Sequence, residues 1–196
     1  MKVIGITGGV GAGKSTVLRY IREQFKARVL QLDEAGHKVI EPGEDCYCEI
    51  LEQFGEEVLL PEGRIDRQAL GEIVFRNQKK LEILNSLVHP AVKKYVTKAI
   101  SQAEQDRCPL LILESAILFD TDYDAICDEV WYIYADEPVR IERIRKERGY
   151  SEERIRGILA NQATEEFFRS RCSYTVENNG DWEETCRQID ERIKQL

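Results

Sequence analysis

Gly8-Gly9-Val10-Gly11-Ala12-Gly13-Lys14-Ser15 is the stretch that decides the fold, because it fits the phosphate-binding pattern G-x-x-x-x-G-K-[ST] at every fixed position. The apolar run Val3-Ile4-Gly5-Ile6 precedes it and indicates a buried strand, and an amphipathic helical pattern follows over residues 17–25. A strand that enters a glycine turn and opens a helix directs several backbone N–H groups and the positive helix dipole at one anion. The sequence therefore predicts a loop that binds a nucleoside triphosphate.

The loop also assigns roles to individual side chains. Lys14 is expected to reach the β- and γ-phosphates of ATP, and the Ser15 hydroxyl is the predicted Mg²⁺ ligand. A chance match in a glycine-rich turn is the alternative, which the flanking strand and helix patterns disfavour. The predicted nucleotide-binding residues of the loop are Gly11, Ala12, Gly13, Lys14, Ser15 and Thr16.

Composition restricts the class of protein. The 196 residues are 42% hydrophobic and 33% charged, with a formal net charge of −8, which argues against a protein that binds nucleic acid or a membrane surface. No apolar stretch approaches the roughly 20 residues of a membrane span, and the loop begins too early for a cleaved signal peptide. We expect a cytoplasmic protein, a monomer or a small homo-oligomer, whose six dispersed cysteines are free thiols.

Continuous apolar strands that alternate with helices predict an α/β fold with a parallel sheet covered on both faces. Five strands are expected, at about residues 2–7, 28–32, 110–114, 129–134 and 173–176. Residues 34–108 show helical patterns without a strand, too long for a simple crossover, and we interpret part of this segment as a helical substrate cap. His89-Pro90 is expected to interrupt it, with Pro90 opening a long helix. We treat residues 1–196 as one domain.

Two acids stand at predicted strand ends, where ligands bind in such sheets: Asp33 and Glu114. Asp33 could accept the proton of an attacking hydroxyl, or it could only cap a helix. Glu114 ends the run Leu110-Leu111-Ile112-Leu113 and could hold Mg²⁺ or face the phosphates, or it could be a solvated strand-end carboxylate.

Basic residues concentrate in residues 140–156, where seven of them stand against four glutamates. Phosphoryl transfer needs cations that offset charge on the transferred group, and we interpret residues 138–170 as an arginine-bearing lid. The alternative is a solvated helix face with Glu/Arg pairs, which applies to most of these residues and leaves one or two as phosphate ligands. His89 could bind substrate or only pack or cap a helix.

Together these motifs resemble the dephospho-CoA kinase family, which catalyses the last step of coenzyme A synthesis. The similarity covers nearly the whole chain and begins with the segment from Gly5 to Thr16. Asp33 falls at the family's D-x-D element, four residues before His37, although Gln31 replaces the first Asp and Ala116 replaces a family proline. The other matching elements are Glu41-Pro42-Gly43, Phe54-Gly55, Gly63-Arg64-Ile65-Asp66-Arg67, Val74-Phe75, His89-Pro90, Glu114-Ser115-Ala116-Ile117-Leu118-Phe119-Asp120, Arg143, Arg148, Gln162 and Asn178-Asn179-Gly180.

The resemblance implies a three-layer P-loop fold and transfer of the γ-phosphoryl group of ATP to the ribose 3′-hydroxyl of dephospho-CoA. It implies that Asp33 is the base and that Lys14 and Arg143 act on the phosphates, with Arg148 as a further lid arginine at the nucleotide. It also implies that Arg67 and His89 hold the acceptor, and Glu114 is included among the predicted substrate-side residues.

Three other functions stay open. Another P-loop kinase of a nucleoside or small metabolite would use the same local chemistry and differ in the cap. A GTPase-type switch would use Asp33-Glu34-Ala35-Gly36 as D-x-x-G, but Asn178-Asn179-Gly180-Asp181 lacks the lysine of N-K-x-D. A non-catalytic ATP-binding module would not need an acid, a lysine and arginines together.

Overall fold

The computed structural model describes residues 1–196 apart from the side chain of Asp120. Its centre is a five-stranded parallel sheet in the order β2-β3-β1-β4-β5. The predicted α/β fold and its five strands are confirmed, with bounds within one residue of those expected. The strands are β1 (Lys2–Thr7), β2 (Arg28–Gln31), β3 (Leu110–Glu114), β4 (Glu129–Tyr134) and β5 (Tyr174–Glu177).

The sheet register brings the strand ends beside the phosphate-binding loop to one edge. Strand β1 pairs with β3 so that Ile6 lies opposite Glu114, and with β4 so that Thr7 lies opposite Tyr132. Because parallel strands end at the same edge, the loop after β1 emerges beside the carboxylate that closes β3.

Helices account for most of the remaining chain. Three short 3₁₀ turns lie at Glu56–Val58, Leu118–Asp120 and Tyr123–Ile126. None of the helices in the described part of the chain combines the length and apolar character of a membrane span. The α-helices are α1 (Lys14–Phe25), α2 (Leu32–Lys38), α3 (Asp45–Phe54), α4 (Arg67–Phe75), α5 (Gln78–Gln105), α6 (Glu137–Arg148), α7 (Glu152–Ala160), α8 (Glu165–Arg171) and α9 (Trp182–Ile193).

The chain divides into two compact units. The first unit, Met1–Val29 with Ala103–Leu196, has a core in which Ile4 and Ile6 of β1 pack with Ile21 of α1. The second unit, Leu30–Gln102, has its own core of apolar side chains from α3, α4 and the first half of α5. The predicted cap at residues 34–108 overlaps the second unit, and its role as a substrate cap stays a prediction, as does the treatment of residues 1–196 as one domain.

The expected interruption at His89-Pro90 is wrong, because α5 runs through both residues without a break. Pro90 cannot donate a hydrogen bond to the carbonyl of Ser86, but both residues are exposed, so water can satisfy that carbonyl. Leu87, Val88 and Ala91 pack against the core of the second unit on both sides of the proline. This packing holds a helix that the local sequence alone would end.

Other local predictions are confirmed. Asp66 caps α4 by accepting hydrogen bonds from the backbone N–H groups of Gln68 and Ala69, at 2.9 and 3.1 Å. Pro138 lies in the first turn of α6, where a missing N–H has no consequence. The segment predicted as a lid, residues 138–170, comprises α6, α7 and most of α8, and its role as a lid stays a prediction. The left-handed residue Gly149 (φ 64°) ends α6, and the Ser151 side chain caps α7.

Candidate active site

The loop between β1 and α1 is closely surrounded by other parts of the first unit. Gly8 and Gly13 have φ angles of 147° and 91°, which a residue with a Cβ rarely adopts. A Cβ on Gly13 would lie 2.3 Å from Asn178 Nδ2, and one on Gly8 would lie 2.5 Å from the Ile133 carbonyl oxygen. Gly13 precedes α1 and supplies no side-chain cap, so no side chain caps the first turn of the helix, an arrangement that suits an anionic ligand.

Lys14 and Glu114 lie together at the carboxyl edge of the sheet. The Lys14 ammonium group donates a hydrogen bond to the Gly8 carbonyl oxygen at 2.8 Å, and its Nζ lies 3.8 Å from Glu114 Oε1. Both side chains are largely buried. Ser15, in the first turn of α1, is exposed, and Thr16 is half-buried. The structure therefore brings the predicted phosphate-binding lysine beside the acid that ends β3.

Arg143 holds the second half of the loop together with Asn178. Its guanidinium donates to the Ala12 and Asn178 carbonyl oxygens at 3.3 and 2.8 Å, with a longer contact of 3.5 Å to the carbonyl of Gly11. The buried Asn178 amide donates to the same Ala12 carbonyl at 2.7 Å and accepts a hydrogen bond from the Thr185 hydroxyl at 3.2 Å. These contacts satisfy the Ala12 carbonyl oxygen and fix the second half of the loop against Arg143 and Asn178.

Arg140 holds the first half of the loop in the same way. Its Nε donates to the Val10 carbonyl oxygen at 2.9 Å, and its Nη2 donates to Gln162 Oε1. The same Gln162 oxygen accepts a hydrogen bond from the Val10 N–H at 3.2 Å. Burial lowers the pKa of the Arg140 guanidinium below its ordinary value, although an arginine keeps its charge at neutral pH.

The two loop arginines differ from other basic residues of the lid segment in their partners. Arg140 and Arg143 form no ion pair within 4.0 Å with any residue that the structure describes, and their hydrogen bonds go to neutral oxygens. Arg145 and Arg156 both pair with Glu152, at 3.1 and 2.8 Å. The uncompensated positive charge therefore lies at the glycine loop, which suits an anionic ligand.

Arg148 has a different environment from Arg143. It is the last residue of α6 and is exposed, and its guanidinium carbon lies 6.0 Å from the centroid of the Tyr150 ring. Its predicted nucleotide role is not tested by this arrangement and stays a prediction.

The remaining predicted site residues belong to the second unit. Asp33 is exposed in the first turn of α2, whose N-cap is Gln31, so Asp33 is not the capping residue. Arg67, at the start of α4, lies with its Nη1 3.4 Å from Nδ1 of His37, which is one helical turn after Asp33. His89 is exposed on α5. The structure thus connects α2 to α4 through His37 and Arg67.

Four residues at these positions have no role in the sequence-based assignment: His37, Arg140, Gln162 and Asn178. Some signals for them are present in the sequence. His37 follows Asp33 by four residues, and Asn178 directly follows the last strand, at the edge where ligands bind. Nothing in the local sequence separates Arg140 from the paired arginines that follow it.

A comparison with known families agrees with this geometry. The family described as dephospho-CoA kinase matches residues 2–184. The chain belongs to the dephospho-CoA kinase family. This confirms the resemblance found in the sequence, and membership of a P-loop kinase family decides against a GTPase-type switch.

Individual known proteins resemble this chain over nearly its whole length. The dephospho-CoA kinase of Geobacillus kaustophilus is 35% identical over 192 residues, which cover 98% of this chain and 95% of that protein. A crystal structure from Thermus thermophilus is 30% identical, with a TM-score of 0.84 and coverage of 99% of this chain and 96% of that one. A dephospho-CoA kinase from Campylobacter jejuni, at 22% identity, has the same fold with a TM-score of 0.73, covering 100% and 97% of the two chains.

Proposed function

We propose that this chain transfers the γ-phosphoryl group of ATP to the ribose 3′-hydroxyl of dephospho-CoA, giving coenzyme A and ADP as the final step of coenzyme A synthesis. The observation that carries the proposal is the pair of arginines, Arg140 and Arg143, which are hydrogen-bonded to the glycine loop and form no ion pair within 4.0 Å in the described part of the chain. Family membership supports the choice of acceptor.

On the nucleotide side, the loop from Gly11 to Thr16 binds the ATP phosphates through its N–H groups. When ATP binds, the Lys14 ammonium group shares its hydrogen bonds between the Gly8 carbonyl oxygen and the β- and γ-phosphates. Arg143, with Arg140 beside it, keeps positive charge close to the phosphates, where charge develops on the transferred group. Because these groups are already held by hydrogen bonds, little reorganisation is needed when ATP binds.

Mg²⁺ fits the oxygen donors of this region. Glu114 ends β3 with a carboxylate beside Lys14, and Ser15 carries an exposed hydroxyl in the first turn of α1. Mg²⁺ prefers oxygen ligands and takes several of them from substrate phosphates and water. The described residues hold no group of three or more His, Cys, Asp or Glu side chains suited to a metal. When bound, Mg²⁺ would neutralise phosphate charge, with Ser15 as its ligand.

On the acceptor side, Asp33 takes the proton of the ribose 3′-hydroxyl as its oxygen attacks the γ-phosphorus and the bond to the bridging oxygen of ADP breaks. Arg67 and His89 hold the acceptor, and the contact of Arg67 with His37 places a second polar group beside Arg67. Glu114 is a further candidate on the substrate side.

The same proposal includes the setting of the enzyme. Its partner is the small molecule dephospho-CoA, with no nucleic-acid or membrane partner, and it acts in the cytoplasm as a monomer or small homo-oligomer. The formal net charge of −8 supports the absence of a nucleic-acid partner, because such proteins usually carry a basic surface.

The test measures ADP release from Mg-ATP with dephospho-CoA, AMP, CMP, adenosine, pantothenate or no acceptor. We expect rapid release with dephospho-CoA alone, and a product phosphorylated at the ribose 3′ position by mass spectrometry and NMR. Preference for another acceptor would retain the phosphate-loop chemistry and overturn the acceptor assignment. ADP release that does not depend on an acceptor, or no release at all, would overturn the kinase proposal itself.

A further inference from the structure

Phe75 is an apolar side chain with almost no contact to the rest of the protein. It is 92% exposed, whereas Leu70 and Val74 of the same helix are buried in the core of the second unit. An aromatic ring that stays exposed to water buries no apolar surface, so it does not stabilise the folded chain through the hydrophobic effect. Its position on α4 therefore suggests a contact with something other than this unit's core.

Gly71 is a second feature of α4 that the fold does not explain. A glycine inside a helix makes that helix less stable than an alanine would. A Cβ added at Gly71 would meet no atom within 4 Å. The loop glycines are different, because a Cβ at Gly8 or Gly13 would collide with neighbouring atoms. The absence of a side chain at Gly71 is therefore not required by packing within the chain, but it would let a ligand approach the helix closely.

Arg67, Gly71 and Phe75 form one ridge of α4. They are spaced four residues apart, so they follow one another along the helix surface over about 12 Å. The ridge begins with a guanidinium that contacts His37 and ends with an exposed aromatic ring. Its chemistry suits a ligand with an anionic group at one end and a flexible, partly apolar chain at the other.

Resting on the proposed function, we infer that the ridge formed by Arg67, Gly71 and Phe75 is the subsite for the pantetheine arm of dephospho-CoA. Arg67 takes the diphosphate, and Gly71 lets the arm lie close to the helix. Phe75 covers the apolar part of the arm, including its geminal methyl groups. Dephospho-CoA has a diphosphate followed by this arm, which matches the order of charge and apolar surface along the ridge.

The experiment compares Phe75→Ala and Gly71→Ala with two control variants, Ile83→Ala and Gly157→Ala. Ile83 is also an exposed apolar residue of the second unit, and Gly157 is also a helical glycine with open space around it. The measurements are the KM for dephospho-CoA, its Kd by calorimetry, and the Ki of ADP-glucose as a competitor. ADP-glucose keeps the adenosine diphosphate and replaces the arm with a polar sugar.

We expect the KM and Kd for dephospho-CoA to rise about tenfold in Phe75→Ala and Gly71→Ala, while the Ki of ADP-glucose changes less than twofold. Gly71→Ala should also raise the melting temperature, as should Gly157→Ala, because alanine favours the helix. Weaker acceptor binding in a more stable protein is a result that damage to the fold cannot produce. The two control variants should leave the affinity for dephospho-CoA within twofold of that of the original chain.

Three results would overturn the inference. One is an unchanged KM and Kd for dephospho-CoA, and another is an equal loss of affinity for ADP-glucose. The third is an effect of Phe75→Ala on self-association alone, measured by sedimentation, which would make the ridge a contact between copies. A chain that neither phosphorylates nor binds dephospho-CoA would reject the proposed function as well, whereas an active chain with unaffected variants would reject only this subsite.

Discussion

The arginine that contacts the glycine loop and the arginine at the start of helix α4 are held in different ways. Arg143, in the first unit, is half-buried and donates hydrogen bonds to the carbonyl oxygens of Ala12 and Asn178. Arg67, in the second unit, is exposed and has one contact of 3.4 Å, to His37. The charge near the loop is held before any ligand arrives, whereas the charge on α4 is held weakly.

This difference indicates where each substrate's binding energy is used. A site already organised for phosphate stabilises developing charge without further ordering, which favours the chemical step. An exposed arginine must lose side-chain freedom when its ligand binds, so part of the binding energy goes into ordering it. Variants in the two regions should therefore separate effects on turnover and nucleotide from effects on the acceptor.

The largest expected effects come from Lys14→Ala and Asp33→Asn. Asp33→Asn removes the proposed base and should lower kcat about a thousandfold, with the KM for ATP within twofold. Lys14→Ala should lower kcat by a similar factor and also raise the KM for ATP, because Lys14 binds phosphate in the ground state as well. Initial rates with varied ATP and saturating dephospho-CoA measure both effects.

A control for this pair is Glu34→Gln, which changes an exposed carboxylate next to Asp33 and should leave kcat within twofold. Near-normal turnover in Asp33→Asn would show that Asp33 is not the base. Because phosphoryl transfer depends strongly on positioning, circular dichroism and the melting temperature should accompany each variant.

Arg67→Ala should act on the acceptor alone. Loss of a charged contact to the diphosphate should raise the KM for dephospho-CoA about thirtyfold, while the KM for ATP stays within twofold. Arg76→Ala is the matched control, since Arg76 is an exposed arginine at the other end of the same helix. Equal effects of Arg67→Ala on both substrates would remove the contrast between the two regions.

Asn178→Ala should weaken the organisation of the loop. Without the amide that contacts the Ala12 carbonyl at 2.7 Å, we expect the KM for ATP to rise about tenfold and the KM for dephospho-CoA to change little. Asn179→Ala is the control, because the Asn179 side chain accepts a hydrogen bond from the Asp136 N–H and not from the loop. An unchanged KM for ATP in Asn178→Ala would mean that Arg143 holds the Ala12 carbonyl alone.

The sequence predicts the phosphate-loop half well because its information is local. The glycines, Lys14 and the two flanking elements are consecutive, and Glu114 ends an apolar run that can be recognised by itself. The strands are predicted within one residue because their apolar runs are continuous and bounded by polar residues.

Contacts between distant parts of the chain are not accessible in this way. The choice of Arg140 and Arg143 over the paired arginines depends on Gln162 and Asn178, which lie 22 and 35 residues further along the chain than the arginines they contact. The path of α5 through Pro90 depends on packing against the second unit's core, which outweighs the local signal of the proline. The contact between His37 and Arg67 joins helices separated by α3 in the chain.

The smallest expected effect concerns two buried threonines of the first unit. Thr7 ends β1, and its hydroxyl has no hydrogen-bond partner among the described residues, whereas the Thr185 hydroxyl lies 3.2 Å from Asn178 Oδ1 and supports the loop contact. Valine has nearly the shape of threonine, so Thr7→Val removes only an unsatisfied hydroxyl and should raise the free energy of unfolding by about 1 kcal/mol. Thr185→Val leaves the Asn178 oxygen without this donor. The free energy of unfolding should therefore fall by about 1–2 kcal/mol. Urea unfolding of the two variants measures both, and a loss of stability in Thr7→Val would instead indicate that a buried water pairs with the Thr7 hydroxyl in solution.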